Sequence, residues 1–147
     1  MAHHNTEDLA ILRARTKMIV VDHWTKNEAM EATKHVVNSK GVGYLRLDKT
    51  AAEEVALAEP FSIGKSRIFR EGTDLTFIAT GGILEEAVLA AKELEKFGLD
   101  IKILGFHTVK PIDKEEILKS AKDTGGLIVI EEHNKDGGLG SAVAEVC

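Results

Sequence analysis

The sequence predicts an α/β fold that consists of two three-layer units with mostly parallel sheets, the first of them incomplete. Two stretches carry this prediction: residues 73–113 read as strand, glycine turn, helix, glycine and strand, and residues 18–47 read as strand, helix and strand. A strand, a helix and a second strand joined by short connections form a right-handed unit with parallel strands. The first strands of both stretches, residues 75–80 and 18–21, are short apolar runs, which are typical of strands buried on both faces.

Length and composition limit the possible classes of function. The chain has 147 residues, enough for one ordinary domain or two incomplete ones, and its 44% apolar residues can form a sizeable core. The net charge of −5 argues against nucleic acid as a partner. A single cysteine, Cys147, excludes an internal disulfide and fits a reducing compartment. No apolar run approaches the ~18 residues of a membrane span, and the polar N-terminus is no signal peptide. We therefore expect a cytoplasmic protein without a membrane partner.

Helix-start signals and glycines divide the first part of the chain into elements. Thr6 is a candidate N-cap, and acidic residues follow it in the first turn, where the helix dipole favours them. After the first strand, Thr25 or Asn27 can cap a second helix over residues 28–38, whose small apolar residues face inward. Two glycines then precede a strand at residues 44–47. These elements are typical of one half of an α/β sheet.

Residues 59–72 are predicted to link the two units. Their sequence, which includes FSIGKSRIFREG, has short β-rich runs on both sides of a glycine and indicates a hairpin-like connector. Residues 1–58 are therefore assigned to the first unit and residues 73–147 to the second.

In the second unit, glycines and one aspartate mark the ends of the elements. Gly98 stands where the end of a helix favours a residue in the left-handed conformation. Asp113 can cap a helix over Lys114–Asp123, and a strand over Leu127–Ile130 follows. A last helix follows the glycine segment 137–140, and the chain stops inside it, so we expect the second unit to be truncated at its end.

The residues alone indicate two kinds of candidate site in the second unit. Three glycine sites could cradle a phosphate: Gly81-Gly82, Gly125-Gly126 and the segment 137–140. The last precedes a helix whose N–H groups could hold an anion, but it lacks the Lys-Ser/Thr pair of a P-loop. Tight turns and helix caps are the more frequent use of such glycines. Glu131, Glu132 and His133 end a strand, where they could bind a metal or move protons. Because adjacent strand residues point to opposite faces, an interface or capping role is the favoured interpretation.

Basic side chains in the first unit could form an anion site if the fold brings them together: His3, His4, Arg46 and Lys49. On the residues alone, however, an arginine at the end of a strand is usually a solvated charge. Trp24 is interpreted as a packing or interface residue. No nucleophile–base pair is recognisable, so the residues by themselves predict an α/β protein and name no reaction.

Several segments, taken together, resemble the transketolase family. GTDLTFIATG, AAKEL, HTVKPID and EEHN followed by GGLGSAVAE look like the C-terminal domain of transketolase, and AHHNTEDLAILR resembles the end of a segment in its pyrimidine-binding domain. The match runs in family order over nearly the whole chain, and the layout is similar to the small subunit of split transketolases. The resemblance implies thiamine-diphosphate-dependent transfer of a two-carbon ketol unit between sugar phosphates, as in the pentose phosphate pathway.

The resemblance also implies which residues contact the substrate. His3 falls on a family histidine that borders the active-site channel, and it is the candidate catalytic residue. Lys49 falls where the family usually has an arginine that grips the substrate phosphate, and Arg46 falls on a less constant neighbour. A lysine at this position keeps the charge but loses the two-pronged donor geometry of arginine. The resemblance implies no residue in this chain that binds the cofactor or a metal.

In the family, parts that this chain lacks hold thiamine diphosphate and Mg²⁺, so we expect neither to bind this chain alone. The chain is expected to be inactive alone and to form a homodimer or a complex with a cofactor-binding subunit. Two alternatives remain open. One is a non-catalytic interaction or oligomerisation module derived from the same fold. The other is the equivalent region of a 2-oxo acid dehydrogenase β subunit or of deoxyxylulose-phosphate synthase.

Overall fold

A computed structural model describes residues 5–47 and 60–147 of the chain. These residues form five helices and seven strands, which are α1 (Asp8–Ala14), β1 (Met18–Asp22), α2 (Lys26–Asn38), β2 (Val42–Arg46), β3 (Arg67–Arg70), β4 (Leu75–Ala79), α3 (Leu84–Glu95), β5 (Ile101–Gly105), β6 (Thr108–Lys110), α4 (Lys114–Asp123), β7 (Leu127–Ile130) and α5 (Leu139–Ala144). The strands form two sheets of mostly parallel strands flanked by helices, which confirms the predicted α/β class. Within these ranges no helix combines the length and apolar character that a bilayer crossing requires.

The first sheet joins strands from distant parts of the sequence in the order β2-β1-β6. β1 pairs with β2 in parallel from Met18 opposite Val42 onward, as the strand–helix–strand pattern predicts. β6 lies antiparallel on the other side of β1, although it belongs to the range 73–147. This three-residue strand was not predicted from the sequence. The division of the chain into residues 1–58, 59–72 and 73–147 stays a prediction.

The second sheet has the order β3-β5-β4-β7, with β4 parallel to both of its neighbours and β3 antiparallel to β5. The hairpin predicted around Gly64 is wrong for its second run, because Arg67–Arg70 pairs with β5. Successive side chains of a strand point to opposite faces of its sheet. In β3 this places Ile68 against the buried cluster on one side of the second sheet and Phe69 against the cluster on the other. A two-stranded hairpin would bury neither side chain.

The buried side chains form separate clusters on the two faces of the second sheet. Phe77 and Ile103 pack with α3 on one face, and the next residues along each strand, Ile78 and Leu104, pack with α4 and α5 on the other. This alternation makes the three layers of the fold. A third cluster joins Leu9 of α1 to both flanking strands of the first sheet.

The helix ends follow local chemistry with one exception. Thr25 accepts a hydrogen bond from the backbone N–H of Glu28 in a capping box, and Asp113 caps α4 in the predicted way. Gly98, three residues after the end of α3, has φ +81°, the left-handed conformation that was predicted for it. Thr6, however, is not the N-cap of α1. That position is Glu7, because the helix begins one residue later than predicted. Glu7 makes no side-chain cap hydrogen bond, but this end of the helix is exposed and water can satisfy its N–H groups.

Lys102 is a buried cation on the α4 face of β5. Its Nζ atom lies 2.6 Å from Oε1 of Glu116 and 3.0 Å from Oγ of Ser120, and its side chain is 3% exposed. Lys119 approaches the same carboxylate oxygen from solvent, at 3.9 Å and with 56% of its side chain exposed. The two lysines therefore contact one carboxylate from a buried and an exposed position.

We predict that Lys102→Met lowers the free energy of unfolding by about 3 kcal/mol, because it leaves the Glu116 carboxylate without its buried cation. Urea unfolding monitored by circular dichroism measures the effect. The matched control is Lys119→Met, which should cost less than about 1 kcal/mol because an exposed pair contributes little. Equal losses of unfolding free energy in the two variants would show that the buried lysine contributes no more to stability than the exposed one.

Candidate functional site

The carboxyl ends of the parallel strands of both sheets meet at one seam. Oγ1 of Thr80, which follows β4, lies 2.6 Å from the carbonyl oxygen of Phe106 and 3.1 Å from that of Asp22, so its single O–H is shared between them. The backbone N–H of Asp22 donates to the carbonyl of His107 at 3.0 Å. We call these four residues the seam. Because α/β folds bind ligands beyond the carboxyl ends of their strands, the seam and its surroundings are the candidate functional site.

Gly81 lets the Asp22 carboxylate pack against the turn after β4. The glycine has φ +66°, and a Cβ atom there would lie 2.8 Å and 2.9 Å from the two carboxylate oxygens of Asp22. Both the backbone conformation and the close approach therefore require glycine. Since the Asp22 carboxylate is buried against this turn, the negative charge disfavours a phosphate there.

Arg46, at the end of β2, holds three segments of the chain together. Its Nε atom lies 3.5 Å from Oδ2 of Asp8, and its Nη1 atom lies 3.4 Å from Oδ2 of Asp22. Its Nη2 atom donates to the carbonyls of Asn5 at 3.3 Å and Glu132 at 3.2 Å. The guanidinium thus joins the start of the chain, the end of β1 and the segment after β7.

The structure includes one of the three predicted site residues. The side chain of Arg46 is partly exposed, and each of its nitrogen atoms has a partner within this chain. His3 and Lys49 lie outside the described residues. The roles of all three in catalysis or substrate binding stay predictions.

Asp8 is the second centre of this network. Its Oδ2 atom accepts a hydrogen bond from the hydroxyl of Tyr44 at 2.7 Å, and its Oδ1 atom lies 3.7 Å from Nε2 of His133, too far for a hydrogen bond. Burial and the adjacent carboxylate raise the pKa of Tyr44 to about 12. Tyr44 therefore keeps its proton at neutral pH and is poorly matched to general acid–base catalysis.

Glu131 occupies the N-terminus of α5. Its carboxylate accepts hydrogen bonds from the backbone N–H of Leu139 at 2.6 Å and of Gly140 at 2.9 Å. This confirms the interpretation of Glu131 as a capping residue. The same contacts place a negative charge where a bound anion would lie, so the glycine segment 137–140 does not fit a diphosphate group.

Among the side chains that the structure describes, no group of three or more His, Cys, Asp and Glu residues lies close enough together to hold a metal ion. Because the turn after β4 faces the carboxylate of Asp22 and the segment 137–140 faces that of Glu131, these two glycine turns do not fit thiamine diphosphate and its Mg²⁺. We derive no chemical step through them.

His107 is buried beside the seam. It stacks on Phe61 with ring centroids 4.1 Å apart, and its Nδ1 atom lies 2.9 Å from Oγ1 of Thr108. Burial lowers its pKa to about 4, so the imidazole is neutral at physiological pH. Trp24 is also buried and meets Phe69 edge to face at 5.0 Å, which confirms its predicted packing role.

A buried ion pair fixes the start of α2 to β3. Oε1 of Glu28 accepts from Nη1 of Arg67 at 3.1 Å, and Oε2 accepts from the backbone N–H of Trp24 at 3.0 Å. Glu28 was not among the predicted site residues, although the spacing Thr25-x-x-Glu28 is the signature of a capping box and could have identified it. No local signal identifies its partner Arg67.

Comparison with known families identifies the fold and the family. The family model described as the C-terminal domain of transketolase matches residues 64–147, which is more than half of the chain. The chain belongs to the transketolase family. The resemblance drawn from its motifs is therefore confirmed.

Curated relatives extend the likeness over the whole of this transketolase-family chain. It is 38% identical over 144 residues to the 6-deoxy-6-sulfo-D-fructose transketolase subunit of a Clostridium species, covering 97% of this chain and 45% of that protein. It is 38% identical over 148 residues to the putative transketolase C-terminal section of Methanocaldococcus jannaschii, and the alignment covers 99% of this chain and 46% of that protein. The 1-deoxy-D-xylulose-5-phosphate synthase of Heliobacterium modesticaldum is 32% identical, and the alignment covers 98% of this chain and 23% of that enzyme. The chain spans about half the length of the first two relatives.

Solved structures agree. A split-gene transketolase, described as an inactive tetramer of four β subunits, superposes with a TM-score of 0.89 at 36% identity. The superposition covers 99% of this chain and 49% of the split-gene transketolase chain. A transketolase from Pichia stipitis superposes with a TM-score of 0.75 at 22% identity, covers 92% of this chain and 21% of the Pichia chain, and shows the shared fold.

We predict that the ultraviolet absorbance of tyrosinate reaches half of its full value at about pH 12 in the folded chain, because burial and Asp8 hold the proton on Tyr44. Tyr44 is the only tyrosine, so the signal is unambiguous. In the unfolded state the value should be ~10. Because the folded pKa is the higher one, this contribution to stability is complete below pH ~10 and is lost as the pH rises through about 12.

The control is Asp8→Asn, checked for folding by circular dichroism. It removes the negative charge beside the hydroxyl, so the pKa of Tyr44 should fall while burial keeps it above the unfolded value. A folded parent chain that titrates near pH ~10, or a variant that titrates as the parent does, would contradict the network around Asp8.

Proposed function

We propose that this chain is part of a thiamine-diphosphate-dependent transketolase, which transfers a two-carbon ketol unit between sugar phosphates, and that it is inactive alone. The observation that carries this proposal is the alignment of nearly the whole chain, at 38% identity, with a transketolase subunit of which it spans 45%. The activity would therefore depend on parts of the enzyme beyond the aligned region.

The two glycine turns support a cofactor site elsewhere in the complete enzyme. Asp22 packs on the turn after β4, and Glu131 caps α5. Thiamine diphosphate and Mg²⁺ would be held by a partner subunit or a further domain, where the thiamine ring would supply the carbanion-stabilising chemistry. This chain would supply the scaffold and, through residues of its first unit, contacts with the substrate.

The residues proposed to meet the substrate are His3, Lys49 and Arg46. His3 would line the substrate channel, and the ammonium of Lys49 would bind the substrate phosphate as a point charge. Arg46 would take part only if the phosphate competes with the carboxylates of Asp8 and Asp22 that it now contacts.

The substrate preference is proposed only to the level of sugar phosphates and related ketoses. Relatives of similar identity are named for different substrates, among them 6-deoxy-6-sulfo-D-fructose and apulose 4-phosphate. The sequence of this chain does not favour one of these over the others.

We also propose a homodimer or a complex with a cofactor-binding subunit, in the cytoplasm. In the described part of the chain, β2 is the outer strand of the first sheet, and its first residue, Val42, and the residue after its end, Leu47, are exposed. An open apolar strand edge favours pairing with another chain. The tetramer named for the split-gene transketolase supports an assembly of subunits.

A second candidate is a non-catalytic interaction module of the same fold. The carboxylates at both glycine turns favour it, because a module needs no anion site. A third is the equivalent region of a deoxyxylulose-phosphate synthase, supported by 32% identity to one such enzyme. The equivalent region of a 2-oxo acid dehydrogenase β subunit remains an alternative from the sequence.

The test is a turnover assay for ketol transfer with thiamine diphosphate and Mg²⁺. The chain alone should give no turnover, and turnover should appear when a subunit that carries the cofactor-binding domains is added. Turnover by the chain alone would contradict the claim that it is inactive alone. A stable complex of the two subunits without turnover would favour the interaction module.

Within the active complex, Lys49→Gln should raise the KM for the sugar phosphate at least ~10-fold with little change in kcat, because it removes a charge that binds substrate and transition state alike. Lys34→Gln is the control, since Lys34 is an exposed lysine of α2 that pairs with Glu31. Identical KM values in the two variants would contradict the role of Lys49.

A further inference from the structure

A small cavity lies beside the seam, between the end of β1, the start of α2 and the ends of β4 and β5. Its volume is about 10 Å³. The residues with polar side chains along its wall are Asp22, Trp24, Glu28, Thr80 and His107. A volume of roughly 10 to 15 Å³ accommodates one water molecule, so the space suits one water and nothing larger.

Two buried side chains of this wall have polar atoms without a hydrogen-bond partner among the described residues. They are Nε1 of Trp24 and Nε2 of His107. Trp24 is 7% exposed and His107 is 3% exposed, so bulk solvent does not reach either group. A buried polar group without a partner costs about 1–3 kcal/mol, and such groups in native proteins are usually satisfied by ordered water.

The charges around the cavity favour a neutral occupant over an ion. The carboxylate of Asp22 faces Arg46, and that of Glu28 faces Arg67. His107 is uncharged at physiological pH because burial lowers its pKa to about 4. The wall therefore offers no uncompensated charge, and an ion would lose its hydration without a counter-charge.

We propose that one water molecule occupies this cavity as a fixed part of the fold, where it accepts a hydrogen bond from the indole N–H of Trp24 and bonds to Nε2 of His107. If Nδ1–H of His107 donates to Thr108, Nε2 accepts a hydrogen bond from the water. In the other tautomer Nε2–H donates to it, and water serves both roles. The water connects the end of the first sheet to the end of the second, whether or not the chain takes part in ketol transfer.

Nuclear magnetic resonance of the full chain tests this site. Trp24 is the only tryptophan, so its indole N–H gives a single assignable signal. We expect a cross-peak between this proton and water that has opposite signs in the laboratory-frame and rotating-frame Overhauser experiments, as for a long-lived bound water. We also expect slow exchange of the indole proton itself. The proposal would be overturned if the indole proton exchanges slowly but shows no cross-peak with water. It would also be overturned if the cross-peak arises from rapid proton exchange with bulk solvent.

A matched pair of histidine variants sharpens the result. His107→Phe removes one partner of the water, and the cross-peak should be lost. His35→Phe changes the other imidazole near Phe61, which is exposed and outside the cavity wall, and should keep the cross-peak. Loss of the signal in both variants, or in neither, would overturn the role of His107. Should His107→Phe fail to fold, a high-resolution crystal structure of the parent chain decides, since an empty cavity contradicts the proposal.

Discussion

The hydroxyl of Thr80 binds the main chains of two sheets at once, and the rest of the structure depends on this contact. It joins the end of β1, through the carbonyl of Asp22, to the segment after β5, through the carbonyl of Phe106. Two residues after Phe106 the chain enters β6 and pairs with β1. The strand ends of the two sheets therefore face one another, and we predict that the two sheets unfold as one cooperative unit.

This arrangement explains why the space beside the seam, about 10 Å³, leaves so little room for a ligand. Parallel sheets usually leave a crevice at their carboxyl ends, but here that space holds side chains from the opposite sheet. Asp22 covers Gly81, Glu131 caps α5, and Arg46 joins the remaining ends. What remains beside the seam has room for a single water. A scaffold of this kind fits a transketolase-family chain that spans about half the length of its relatives.

Local signals in the sequence predict the elements well and their long-range contacts poorly. α4 and β7 have the predicted bounds, because Asp113 caps the one and glycines precede the other. β6 could not be predicted, since a three-residue strand forms only because β1 lies beside it. The partners of Arg46 lie up to 86 residues away in sequence, so spacing gives no sign of them. The family resemblance identifies candidate site residues, but it says nothing about the contacts that occupy Arg46.

Native-state hydrogen exchange tests the cooperative seam most directly. The amide of Asp22 donates across the seam to His107, and the amide of Phe106 donates to Ala79 within the second sheet. If the sheets form one unit, both amides exchange only through global unfolding, with equal free energies of opening that match the value from denaturant unfolding. An Asp22 amide that opens at a free energy more than ~2 kcal/mol lower, while Phe106 stays protected, would show that the first sheet unfolds separately and would contradict the account.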